Sequence, residues 1–474
     1  MGAGVKGVAS LWELILVFVH KSIVIPAILG HLRSLVGGEK LLVVFPTAGE
    51  SYNGGSKAFN VKDDHVELRI LKPISFLWRM FIDRKMGLAE AYLAGDWTAN
   101  PGPKELLNLL IRARKASNTS PTKSRPFRRS IPGMLLALTA TCIRQSYFLV
   151  NYIQHKWRQN TISRAQQNIR EHYDLGNDMF SLFLDETMTY SCGLFDDALS
   201  PVTKSDKNIL KESQLRKYDA LYERLNLKAS DTVLEIGCGW GACAIRAVQK
   251  YGCTWTGLTI SEQQYAMAKQ KVAEAGLEDK IEIKFLDYRK VTGTYDKILA
   301  VEMIEAVGHE YLPTFFKTLS DRLKPSGIAA LQAILCRDEQ YDRYRKSSDF
   351  IKKYIFPGGH MPCINAIKEA LPSDLSLDSD IFHMGRHYAT TLDHWAAAWQ
   401  ENRSKIHAMG YGPVFFRTWE FYFALPFSAT KDAPRRVNIA DMSLRQLLCC
   451  CGEDTSDDER NPMITNEPED LGAR

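Results

Sequence analysis

The chain has 474 residues, 45% of them apolar and 24% charged, with a net charge of +5, the composition of an ordinary globular protein with room for two or three domains. Its ten cysteines fall at 142, 192, 238, 243, 253, 336, 363, 449, 450 and 451, and the first seven form no CxxC or zinc spacing. With no convincing cleavable signal peptide, free thiols in a reducing, cytoplasmic setting are expected rather than a disulfide framework or a metal site.

Residues 11–32 are rich in apolar side chains, but Glu13, His20, Lys21 and Pro26 interrupt them. The longest charge-free run, residues 22–32, is short of the ~20 residues that span a bilayer. Residues 1–37 are therefore expected to be a membrane-associating or partner-docking segment, not a span. Residues 41–45 and 65–71 read as strands around a glycine turn at Gly54-Gly55, and residues 87–97 open a helical stretch to about Arg114. Together, residues 38–115 are expected to form a small α+β unit.

Residues 112–130 hold Arg112, Arg114, Lys115, Lys123, Arg125, Arg128 and Arg129 and no acid, and Pro121 and Pro126 favour a linker. An apolar run follows at 131–140, so residues 116–164 read as a basic linker and helix. Basic residues beside apolar anchors suit an anionic membrane surface, where each cation adds about 1 kcal/mol; a solvated linker is the plainer alternative. Nucleic acid is not expected, because the aromatic interleaving that stacks bases is missing.

The stretch from Val233 to Gly241 carries the strongest functional signal. An apolar strand runs into Glu235 and then into glycines at 237, 239 and 241. Such glycines let backbone N–H groups approach a ligand, and the helix from about Ala242 adds a positive N-terminus there. The pattern E-x-G-x-G-x-G is the form used by class I methyltransferases for S-adenosylmethionine (SAM). Further β–α units follow: a strand at 254–260 with Ser261 as N-cap, strands at 281–286 and 295–301, a turn at 323–327 and a strand at 328–335. This alternation predicts an α/β, doubly wound parallel sheet with its ligand at the carboxyl ends of the strands. Gly237–Gly241, Thr259, Asp287, Tyr288 and Glu305 would then surround one crevice.

Five segments go further than the fold. They are residues 168–178, 188–192 (Met-Thr-Tyr-Ser-Cys), 257–264, 302–308 and 349–359, the last containing Tyr354-Ile-Phe-Pro357. In this order the chain resembles the cyclopropane-fatty-acyl-phospholipid synthase family, which includes the mycolic acid cyclopropane synthases, over about 168–423. The resemblance implies a catalytic domain at 165–430, preceded by a small lipid-handling α+β domain. It also implies transfer of a methylene from SAM across a cis double bond of an unsaturated phospholipid acyl chain. SAM would meet Tyr190, Ser191, Glu235, Gly237, Gly239, Gly241, Thr259, Gln264, Asp287 and Tyr288. A bicarbonate ion acting as base would be held by Cys192, Glu305, Ile334 and Tyr388, with backbone N–H groups near Cys192 and Ile334 completing its shell. Tyr173, Trp240, Tyr288 and Phe356 would face a carbocation. Gln332 stands where bacterial members usually have histidine, and an amide cannot titrate. The same fold could instead deliver a methyl branch, as in fatty-acid and sphingolipid methylating relatives, or serve as an inactive lipid binder.

Plainer readings compete. Cys192 suits a small buried core residue. Glu302 and Glu305 could pair, but residues three apart across a strand end should point to different sides. His383, His387 and His394 read as satisfied polar histidines, and Trp395 with Trp399 as core packing. A homodimer is compatible with the sequence. Residues 431–474 read as a cysteine-containing, acidic, disordered tail: from Gly452 on, eight acids face two arginines. Cys449, Cys450 and Cys451 could carry palmitate and, with the N-terminal segment, hold the chain peripherally on a membrane.

Overall fold

The computed structural model describes residues 24–36, 39–45, 55–59, 65–119, 145–147, 149–150, 153, 160, 164–165, 175–198, 202–377, 381–425 and 435–443. The expectations placed on residues 11–23, residues 131–140, Tyr173, Cys449, Cys450 and Cys451 lie outside them.

A four-stranded sheet comes first: β1 (Leu41–Phe45), β2 (Gly55–Phe59), β3 (Val66–Ile70) and β4 (Trp97–Asn100), in the order β2-β1-β3-β4. The glycine turn does not join β1 to β3. Instead β2 returns antiparallel on β1, with Phe45 opposite Gly55, and β3 lies parallel on the other edge. Gly-Ser-Lys-Ala-Phe carries almost no strand pattern, so its conformation follows from pairing with the apolar β1. Helix Ile25–Val36 buries Ile28, Leu32 and Val36, an i, i+4, i+8 stripe. That stripe faces helices Pro73–Ile82 and Pro103–Thr119. The last third of the expected membrane-associating segment is therefore core, because its apolar face meets protein.

Helix Pro73–Ile82 precedes the predicted helical run, β4 splits that run into Arg84–Leu93 and Pro103–Thr119, and the third helix passes the expected end at Arg114. Gly87 lets the first two touch: a Cβ there would stand 2.1 Å from the Arg79 carbonyl oxygen. Asp96 fixes the pair, accepting from Ser75 Oγ at 2.6 Å and Arg79 Nε at 3.1 Å.

The main sheet contains β5 (Thr232–Ile236), β6 (Thr254–Thr259), β7 (Ile281–Phe285), β8 (Tyr295–Val301), β9 (Leu323–Cys336), β10 (Ser376–Leu377), β11 (Phe382–His383) and β12 (Arg435–Ser443). Its order is β10-β12-β9-β8-β5-β6-β7, with β11 also paired to β12. Strands β5 to β9 are parallel, and β12 runs antiparallel to β9. The chain winds outward from β5 through β6 to β7, then crosses back to β8 and β9. The order thus reverses between β5 and β8, the place where doubly wound sheets bind ligands. The expected turn at 323–327 lies inside β9 as an irregularity: Tyr295 pairs with Leu323, and the next pair is Lys297 with Ile328. Strand β12 falls within the expected tail, which moves the end of the sheet domain from 430 to Ser443.

Helices Gly385–Glu401 and Pro413–Ala424 close one side over an aromatic core of Phe183, Trp395, Trp399, Trp419 and Phe423. Trp399 is fully buried, stacks on Phe416 at 5.5 Å and donates from Nε1 to the Phe416 carbonyl at 3.1 Å. Trp399→Ala is expected to cost about 3–5 kcal/mol. Urea unfolding measures this, and a loss under about 1 kcal/mol would show that this cluster does not hold the two helices. The small-sheet unit is tied on through Tyr92 to Glu420 at 2.5 Å. Glu90 adds to this, accepting from Lys353 Nζ at 2.8 Å and Tyr354 O–H at 2.9 Å. Those last two residues belong to a π-helix, Ile351–Ile355, whose Ile351 and Lys352 line the central cavity.

Candidate active site

Strand β5 delivers the chain to the glycine loop. The N–H groups of Gly237 and Cys238 both donate to the Leu258 carbonyl at 2.9 Å, which pins the loop to β6. Gly237, Gly239 and Gly241 have φ of 84°, 52° and 84°, a region where side chains are strained. Gly237 has a second constraint, because a Cβ there would lie 2.9 Å from Met303 Cγ. Gly241 N-caps helix Ala242–Tyr251.

The loop opens on a cavity whose empty space, open mouth included, is about 1940 Å³. Tyr190, Ser191, Glu235, Gly237, Gly239, Thr259, Gln264, Asp287 and Tyr288 line it, as do Glu305, Ile334 and Tyr388. Of the expected residues among those described, only Cys192, Gln332 and Gly241 are not part of its lining. Glu235 accepts from Trp255 Nε1 at 3.0 Å, and burial pushes its carboxyl up to about 7. Thr259 Oγ1 donates to Gln264 Oε1 at 2.8 Å, while Asp287 accepts from Arg289 Nε at 2.8 Å and Nη2 at 2.6 Å. Trp240 and Phe356 line the cavity too, and Trp395 joins them rather than serving the core alone.

Glu302 is the residue that the alternation argument misplaced. It has φ of 48°, one of three non-glycine residues with positive φ among the described residues. This left-handed conformation costs about 1–2 kcal/mol and turns its side chain into the cavity beside Glu305. Its Oε1 accepts from the Cys192 N–H at 2.8 Å and from Gln332 Nε2 at 2.7 Å. Glu305 Oε1 accepts from the Ile334 N–H, and Oε2 is buried with no hydrogen bond. Burial, then the negative charge of Glu302, pushes the Glu305 carboxyl up to about 8. Burial raises Glu302 as well. The two carboxyls are therefore a coupled pair that holds a proton near neutral pH.

Lys217 lies fully buried behind them and donates to Ser191 Oγ at 2.6 Å. Burial lowers it to about 8, opposed by the charge of Glu302. No local motif announces this lysine, which arrives from helix Lys207–Arg224. The Cys192 thiol points away, toward the Gly193 carbonyl at 3.3 Å, and burial pushes it well above the usual thiol range. It is a core thiol whose backbone, not sulfur, serves the site. His387 and His394 accept from the backbone N–H groups of Phe195 and Asp206 at 3.1 and 3.4 Å. The six described cysteines are buried thiols.

Three of the donors expected around bicarbonate are thus engaged by the protein's own carboxylates. The Cys192 N–H and the Gln332 amide serve Glu302, and the Ile334 N–H serves Glu305. Glu305 Oε2 and Gln332 Oε1 are buried without a hydrogen bond, as is the donor Trp395 Nε1 in the cavity wall. Tyr388, the remaining member of the expected cage, lines the cavity with Glu305. The glycine loop and the strand ends around it fit a nucleoside-type ligand.

A family model described as mycolic acid cyclopropane synthetase matches residues 160–438. The tuberculostearic acid methyltransferase UfaA1 of Mycobacterium tuberculosis is 36% identical over 72% of this chain and 74% of its own length. Sphingolipid C9-methyltransferase 2 of Gibberella zeae is 33% identical over 56% of this chain, which spans half of that relative's length. The solved structure of the mycolic acid cyclopropane synthase CmaA1 complexed with SAH and CTAB superposes with a TM-score of 0.52 at 30% identity. That match covers 59% of this chain and 98% of that one.

Proposed function

Since the chain belongs to the mycolic acid cyclopropane synthetase family and is a SAM-dependent lipid methyltransferase, we propose that it methylates a double bond in an unsaturated phospholipid acyl chain. The product of this reading is a methyl-bearing chain that keeps a double bond. Bound at the glycine loop, SAM supplies an electrophilic methyl group on a sulfonium. One alkene carbon gains the methyl, and the charge left on its neighbour is met by the π faces of Trp240, Phe356 and Tyr288. A proton then leaves the methylated carbon, its bonding pair restores the double bond, and the Glu302–Glu305 pair takes the proton. Gln332 and the Cys192 N–H hold Glu302 in place for this, and the apolar wall keeps water out. No step is assigned to bicarbonate.

The observation that carries this reading is Glu302, whose carboxylate takes up the Cys192 N–H and the Gln332 amide, two of the donors expected around bicarbonate. The similarity to a tuberculostearic acid methyltransferase supports methyl transfer to a fatty acyl chain. Ring closure, with the proton lost from the added methyl, is the second reading, favoured by the family model and the CmaA1 likeness. Peripheral attachment to an anionic membrane goes with either. Leu71, Ile74 and Trp78 are 44%, 56% and 55% exposed beside Lys72, and no helix among the described residues is long and apolar enough to cross a membrane.

The test is lipid analysis of bacteria that lack a cyclopropane synthase of their own and express this chain, beside Glu305→Gln. Acyl chains heavier by CH₂ that keep a double bond, absent with the variant, are expected. A product of the same mass without a double bond would move the assignment to ring closure. No new lipid from a well-expressed chain would end it.

A further inference from the structure

Three residues that the methylation scheme leaves aside form a chain between the cavity and the protein's exterior. His360 follows the π-helix, lines the cavity and is 6% exposed. Its backbone N–H donates to the Glu305 carbonyl at 2.7 Å, so the two residues stand side by side in the wall. His360 Nε2 lies 2.7 Å from the hydroxyl of Tyr341, itself 6% exposed. The same hydroxyl lies 2.8 Å from Nδ1 of His309, which is only partly buried. A hydroxyl has one proton to give and accepts through its lone pairs, so between two imidazoles it donates to one ring and accepts from the other.

We propose that His360, Tyr341 and His309 form a relay that carries the released proton out of the cavity. The inference rests on the proposed function but not on its product, because a methyl-alkene and a ring each release one proton per methyl transferred. A proton reaching Nδ1 of His360 leaves its Nε2 for the Tyr341 oxygen as the Tyr341 hydroxyl proton passes to His309 Nδ1. His309 then releases a proton from Nε2. Each ring ends in its other tautomer, the tyrosine keeps one proton with its hydrogen bonds reversed, and one proton has moved with no net change in charge; the rings and the hydroxyl return to their first arrangement before the next proton passes. Imidazole suits this task because its ordinary pKa lies near neutrality. Without such a path, a proton taken up by the buried carboxylates stays on the pair and slows the next turnover.

The experiment uses the full chain, SAM and vesicles of an unsaturated phosphatidylglycerol, with turnover measured in H₂O and D₂O and SAM affinity by calorimetry. Tyr341→Phe keeps the ring and removes the hydroxyl. It is expected to slow turnover about tenfold or more, to raise the H₂O/D₂O rate ratio and to leave SAM affinity unchanged. His309→Gly should slow turnover likewise and recover with added imidazole, which can replace the missing ring at the outer end. Imidazole should not rescue Tyr341→Phe. Wild-type rate and isotope ratio in Tyr341→Phe would overturn the relay alone. So would a slow His309→Gly that imidazole does not restore, and this second variant keeps the test decisive if Tyr341→Phe folds poorly. Failure of the wild-type chain to methylate any lipid would instead remove the function on which the relay rests.

Discussion

Glu302→Gln is expected to slow methyl transfer by about 10²–10⁴-fold while SAM still binds. The substitution is a narrow one. A glutamine Oε1 can still accept from the Cys192 N–H and the Gln332 amide, so the wall keeps its shape. The negative charge goes, and with it half of the proton-accepting pair. A second effect separates this account from a purely structural role. Glu305 stands at about 8 because of burial and then because of Glu302, so removing the Glu302 charge lowers it. The rising limb of activity with pH, set in the wild type by the pair, should therefore move to lower pH in what activity remains. Stability carries the matching sign. A carboxyl raised from 4.5 to about 8 on folding keeps its proton while the unfolded chain has released it, so stability falls as pH rises between those values. Glu302→Gln should make that fall shallower. An unchanged rate and pH profile would remove the pair from the chemistry.

Gly237→Ala is expected to weaken SAM binding by roughly 10- to 100-fold, equivalent to about 1.4–2.8 kcal/mol. Two costs coincide at this residue. Its φ of 84° disfavours any side chain, and the new methyl would press on Met303 Cγ at 2.9 Å. Met303 follows Glu302 directly, so the displacement reaches the carboxylate pair, and turnover at saturating SAM should fall together with affinity. Gly239→Ala is the control. It also has positive φ, but a Cβ there meets nothing within 4 Å, so its effect should be confined to the backbone conformation. Equal losses in the two variants, read by calorimetry and steady-state kinetics, would show that the Met303 contact does not matter.

The glycine loop and the strand ends were legible in the sequence because each has a local cause. Glycines at alternate positions after an apolar strand announce a backbone that must turn, and the alternation of strands and helices places the other strand ends beside it. Glu302 was hidden for an equally local reason. Alternation assigns it to the far side from Glu305, and only a left-handed residue at the end of β8 brings the two together. No pattern in Glu302-Met-Ile-Glu305 signals that conformation. Lys217, and the trio His309, Tyr341 and His360, were invisible because they meet only through tertiary packing. Strand β12 was missed because Arg-Arg-Val-Asn-Ile-Ala-Asp reads as polar chain leading to an acidic tail, and its pairing with β9 supplies the order that its own sequence lacks. Helix Ile25–Val36 shows the opposite error. An apolar stripe was visible, but whether it faces lipid or protein depends on a partner helix far along the chain.

The central claim is that a methyl group reaches an acyl double bond and that the Glu302–Glu305 pair then takes a proton from the chain. The most direct measurement supplies the purified protein with SAM bearing a CD₃ methyl and vesicles of an unsaturated phospholipid, then weighs the acyl products and counts their double bonds. The account predicts a chain that carries CD₃ and keeps a double bond, formed by the wild type and lost in Glu302→Gln and Glu305→Gln. A chain that carries CD₂ and no double bond, formed equally well by Glu302→Gln, would contradict it.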